Sequence, residues 1–84
     1  MDPEKIIIIL KIPKRNEQYD VEIPTDITAS ELIVGLNEAF HLGMDTSDTS
    51  RSCLKAENPI ALLRGNKLVR EYGLHTGSII NFTD

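Results

Sequence analysis

The chain has 84 residues, 40% of them hydrophobic, with no tryptophan and only Tyr19, Phe40, Tyr72 and Phe82 as aromatics. A chain of that length holds one small core built from Ile, Leu and Val, so a single domain over residues 1–84 is expected and a second independent core is excluded. The net charge of −4 argues against a general nucleic-acid binder, because phosphate neutralisation needs a concentrated basic surface and the Lys and Arg residues here are interleaved with acids.

Residues 6–12 form an apolar, β-branched run interrupted only by Lys11 and ended by Pro13, which predicts a strand. After a turn over 13–17, Tyr19, Val21 and Ile23 alternate with Asp20 and Glu22, the period of a strand buried on one face. The two strands make an N-terminal hairpin closed by Pro24. Thr28 and Glu31 then have the spacing of a capping box, with Ile27 and Leu32 placed for a hydrophobic staple. Ala29, Leu32, Ile33, Leu36, Ala39 and Phe40 recur at helical spacing. Gly43 is expected to end the helix in a left-handed conformation. Gly35, inside it, is expected to permit close packing on the sheet at a propensity cost of about 1 kcal/mol.

Residues 43–59 read as a long polar connection in which 52–56 offer the start of a strand. Residues 60–63 read as a strand, Arg64-Gly65-Asn66-Lys67 as a turn and Leu68-Val69 as its return arm, a second hairpin. Tyr72-Gly73-Leu74 makes a corner, His75-Thr76-Gly77 turns again, and 78–83 form a final strand. The order is ββαβββ. The helix must bury its apolar stripe across one face of a mixed sheet of four to five strands, an α+β architecture, with the final strand parallel to the first in the sheet interior.

This order is that of the β-grasp and resembles ubiquitin. Pro24-Thr25-Asp26-Ile27 is similar to ubiquitin's approach to its helix, the block from Ala61 to Leu68 to its third strand and glycine turn, and Tyr72-Gly73-Leu74 to the corner before its last strand. Within that superfamily the chain most resembles the bacterial YukD/EsaB-like proteins. The likeness rests on length, the apolar first strand, the helix pattern Ile27, Ala29, Leu32, Ile33, Leu36, Phe40, Leu42, and Tyr72-Gly73-Leu74 followed by Gly77 and a terminal apolar strand. The resemblance implies a ubiquitin-like protein that is not conjugated and not an enzyme. It implies an adaptor or regulator of type VII secretion, the export of WXG100 proteins, with components of that machine as partners. Its place would be the cytoplasm, peripheral to a membrane secretion complex. The sequence ends at Asp84 without a glycine pair, so docking is expected over conjugation. A sulfur carrier or protein modifier on the same fold is the second reading and requires that pair; a detached β-grasp module of a larger assembly is the third.

Strand parity locates the expected site. With Ile6, Ile8, Leu10 and Ile12 facing the helix, Ile7 and Ile9 point outward with Lys11. By the same alternation Ala61 and Leu63 point inward with Ile60 and Leu62 outward, and Ile80 and Phe82 inward with Ile79 outward. With the final strand and the 60–63 strand flanking the first, Ile7, Ile9, Ile60, Leu62 and Ile79 form one exposed apolar patch. Its occupant is a protein partner, a second copy of the chain as a homodimer, or the chain's own long loop.

Nothing in the sequence points to catalysis, a cofactor or a metal. His41 and His75 stand apart with no carboxylates at ligand spacing, and Gly65 and Gly77 occur singly, so no phosphate loop is present. Cys53 is the one cysteine; it forms no intrachain disulfide and fits a reducing compartment, and only Arg51 and Lys55 lie near it to activate a thiolate. Residues 1–5 lack the order of a signal peptide, and the apolar run at 6–10 is too short to cross a bilayer, so direct membrane insertion is not expected.

Overall fold

The computed structural model describes residues 4–44 and 53–82. β1 (Lys5–Ile12) and β2 (Glu17–Pro24) pair antiparallel with Ile8 opposite Val21. Between them, the turn Pro13–Arg15 closes on Asn16 at φ 54°, whose N–H donates to the Pro13 carbonyl. This is the expected first hairpin.

The helix α1 runs Ala29–Phe40 and begins as its sequence requires. The Thr28 hydroxyl accepts from the Glu31 N–H at 3.1 Å and the Glu31 carboxylate accepts from the Thr28 N–H at 3.1 Å, which satisfies two donors that a helix start leaves orphaned. Two expectations for this helix are corrected. It ends at His41, not Gly43: His41 takes the left-handed conformation at φ 53° and its neighbour's N–H, Leu42, reaches the Asn37 carbonyl at 3.2 Å. Gly43 is also left-handed, but two residues beyond, where the Asn37 side-chain amide holds both backbone groups of Met44. Gly35 makes no close packing on the sheet; it is exposed, and a Cβ built there meets nothing within 4 Å.

The remaining strands are β3 (Leu54–Glu57), β4 (Ala61–Leu63) and β5 (Ile79–Asn81). The five-stranded sheet has the order β2-β1-β5-β3-β4. β5 lies parallel to β1, as expected, and antiparallel to β3. The ββαβββ order holds, but its third and fourth strands differ from the sequence reading. β3 overlaps residues 52–56, which the sequence offers as the start of a strand within the expected connection, but the second hairpin is β3 with β4, not residues 60–63 with Leu68-Val69. Leu68 instead makes an isolated bridge to Thr28, and Val69–Tyr72 is a short 3-10 helix. Its backbone bonds run to the start of α1: Val69 N–H to the Ile27 carbonyl at 2.8 Å and Ala29 N–H to the Lys67 carbonyl at 2.9 Å. Of the expected connection over 43–59, residues 45–52, Arg51 among them, lie outside the described residues, as does the end of the expected final strand, Thr83.

The core lies between α1 and one face of the sheet. Ile6, Ile8, Leu10 and Ile12 of β1, with Leu54, Ala56, Leu63 and Ile80, form one buried cluster with Ala29, Leu32, Ile33 and Leu36 of the helix. Val69 and Leu74 close the same cluster from below, and Phe82 packs half-buried against it. Burying each of these aliphatic side chains contributes roughly 1.5–3 kcal/mol, so the alternating positions left over are the ones whose exposure needs an explanation.

Candidate protein-interaction face

Alternate residues along a strand point to opposite faces, so those between the buried positions of β1, β5, β3 and β4 project away from α1. Ile7 is 48% exposed, Leu62 43% and Ile60 91%, while Ile9 and Ile79 are half-buried. The register puts these residues into rows. Ile9 stands opposite Ile79 on β5, and Ile79 stands opposite Glu57 on β3. One row further along, Lys11 is opposite Asn81, Asn81 opposite Lys55, and Lys55 opposite Leu62.

The strand that carries Leu62 is therefore not a neighbour of β1, as the sequence reading had it, but the far edge of the sheet. Ile7, Ile9 and Ile79 make one apolar group over β1 and β5, Ile60 and Leu62 make a second at β4, and Lys55, Glu57 and Asn81 lie between them. Lys55 and Glu57 were missed because the strand start offered at 52–56 was given no place in the sheet, and Asn81 because only the apolar residues of the final strand were followed. The signal was present in Leu54-Lys55-Ala56-Glu57, which alternates apolar and charged residues with the period of a half-buried strand. An open concavity of about 570 Å³ sits on this part of the face, lined by Lys55, Glu57, Ile60, Leu62 and Asn81 among others.

Ile60 is held at the tip of the turn between β3 and β4 by bonds made beneath it. The hydroxyl of Ser78, fully buried, donates to the Asn58 carbonyl at 2.7 Å and accepts from the His75 N–H at 3.0 Å. Gly73, left-handed at φ 76°, lies against Pro59: a Cβ there would sit 3.8 Å from the proline ring. Nearby, the Tyr72 hydroxyl donates to the Arg64 carbonyl at 2.8 Å and accepts from the Arg64 N–H at 3.3 Å, with the Lys67 ammonium 4.8 Å from its ring centre. These contacts fix the turns that flank the face.

Apolar side chains with both signs of charge among them bind by burial and charge pairing, each isoleucine or leucine worth roughly 1.5–3 kcal/mol before association costs. His75 bonds its own loop, Nδ1 lying 2.9 Å from the Thr76 carbonyl oxygen, and Cys53 is a half-buried thiol beside β3. Among the described residues no three His, Cys, Asp or Glu side chains gather as metal ligands, and no helix is long and apolar enough to cross a membrane.

The family described as "WXG100 protein secretion system (Wss), protein YukD" matches residues 7–81. No curated protein matches the chain. Among solved structures, a de novo designed protein based on ubiquitin is 18% identical, with a TM-score of 0.66 over 98% of this chain and 90% of its own. The C-terminal ubiquitin-like domain of mouse tubulin-specific chaperone e is 11% identical, with a TM-score of 0.71 over 100% and 92%. A ubiquitin-like domain of an Arabidopsis thaliana protein is 24% identical, with a TM-score of 0.62 over 92% and 73%. At these identities the likeness is one of fold, and the fold is the ubiquitin-like β-grasp.

Proposed function

The chain belongs to the YukD family of the WXG100 protein secretion system, and on that premise we propose that it is a non-enzymatic, non-conjugated adaptor or regulator of that system. It docks on a protein component of the secretion machine through the outer face of its sheet, from the cytoplasmic side. Ile7, Ile9 and Ile79 form one anchor group of the docking face, Ile60 and Leu62 the other, and Lys55, Glu57 and Asn81 set the orientation between them. The observation that carries this reading is the exposure of Ile7, Ile60 and Leu62 on a sheet whose opposite face is already filled by the helix. Large apolar side chains grouped on a surface favour a partner that removes them from water.

The test is export. A strain lacking the gene is complemented with the parent chain or with a variant carrying Ile7→Asp and Leu62→Asp, and WXG100 proteins are measured in the medium. The variant is expected to unfold at close to the parent's temperature, because neither residue is in the core, yet to lose most of the export. Normal export by a folded double variant sinks the proposal. Sedimentation over a range of concentrations separates a heterologous partner from a second copy: a dimer that the same substitutions abolish would transfer the face to self-association.

A further inference from the structure

A second surface, on the other side of the sheet from β4, carries chemistry that the outer face does not use. β2 is the outermost strand among the described residues and pairs with β1 alone. Between it and α1 runs an apolar groove of about 230 Å³, lined by Val21, Ile27, Leu36, Ala39 and Phe40, with Gly35 on its helical wall. Glu31, the charged residue on its helical side, is acidic. Gly35 keeps that wall open, since the space where its Cβ would stand has no neighbour within 4 Å. Along β2 itself Asp20 and Glu22 stand opposite Ile9 and Ile7 of β1, exposed, on the face away from the helix.

We propose that this edge and groove take an extended segment of a partner protein, apolar at alternate positions and bearing lysine or arginine at the others, added as a further strand beside β2. A strand on that edge sends alternate side chains beneath α1 into the groove and the intervening ones to the outer face, directly across from Asp20 and Glu22. Cross-strand pairs of opposite charge are favourable and like pairs are not. The same rule disfavours a second copy as the occupant: two β2 edges laid together antiparallel bring Asp20 and Glu22 of one against those of the other on the outer face. The acidic edge thus disfavours self-pairing and selects a basic strand. This surface is independent of the docking face over β1, β5 and β4, and each stands or falls separately.

The experiment uses the full chain, labelled with nitrogen-15, and a synthetic peptide of the same length as β2 in which lysine alternates with isoleucine. Amide shifts are expected to centre on β2 and on residues 35–40 of α1. The peptide with glutamate in place of lysine is expected to leave the spectrum unchanged. Of two peptides N-methylated along one backbone edge or the other, one is expected to lose binding. Glu22→Lys is expected to weaken the lysine peptide about tenfold or more, and Gly35→Leu, which places a side chain in the groove, to weaken the same peptide in the same assay while the variant's own spectrum stays that of a folded chain. Shifts centred on β4 and β5, no shifts, equal binding of the glutamate peptide, or full binding of both methylated peptides would each overturn the proposal.

Discussion

Single residues in this chain carry costs that can be recovered or exposed by substitution. Gly35 is the clearest, because it sits in the middle of α1, faces solvent, and has room for a side chain. Gly35→Ala is expected to raise stability by about 0.5–1 kcal/mol by removing unfolded-chain entropy; a lower midpoint in chemical denaturation would show that the position serves packing after all. Tyr19 offers a titration in place of a stability gain. The Glu17 carboxylate hydrogen bonds its phenol and, with partial desolvation, raises its pKa above the ordinary value of 10.0. The neutral phenol is thus the form the fold favours, so its contribution is complete below the unfolded pKa and lost as pH rises through the folded one. Glu17→Gln is expected to lower the pKa read from the Tyr19 ring by NMR, and an unchanged value would remove the carboxylate as the cause.

Elements are joined by contacts between their ends. The Arg15 guanidinium, in the turn of the first hairpin, donates to the Phe40 carbonyl at 2.8 Å and to the His41 carbonyl, two of the acceptors that the end of α1 leaves open, and Tyr19 lies with its ring centre 4.9 Å from that of Phe40. A cation at a helix C-terminus is favourable by electrostatics as well as by hydrogen bonding. Arg15→Ala is expected to cost about 1 kcal/mol, and Arg15→Lys to restore only part of it because an ammonium lacks the two-pronged geometry; thermal unfolding measures both, and no loss in the alanine variant would show the clasp to be idle. None of this was legible beforehand, since it links positions far apart in sequence. What was legible had local periodicity: β1, β2 and α1 announce themselves by alternation, helical spacing and a capping box, and the outward parity of Ile7, Ile9, Leu62 and Ile79 follows from alternation alone. β3 is four residues long in a polar stretch, so its signal was weak. Leu68-Val69 resembled a return arm because the bonds that set its conformation, to Ile27 and from Ala29, come from another part of the chain. Which outward residues become neighbours depends on strand order, and that is a property of the whole sheet.

At the level of the whole molecule the sheet is two hairpins joined by one short strand. β5 contributes only Ile79–Asn81, yet it lies between β1 and β3 and places Ile80 wholly within the core. Two separate two-stranded ribbons are marginal in water. Removal of residues 78–84 is therefore expected to abolish cooperative unfolding altogether; a sharp thermal transition in the shortened chain would contradict this. The position of β5 also orders events during synthesis. A domain folds as its residues leave the ribosome, and here the first hairpin and the helix emerge well before the strand that completes the sheet. Until β5 arrives, β1 offers an open backbone edge and an apolar face to any other nascent chain nearby. The interval between translating Ile12 and translating Ile80 is consequently the period in which this protein is most exposed to aggregation, and slowing the ribosome within it would lower the yield of folded protein without changing a single residue.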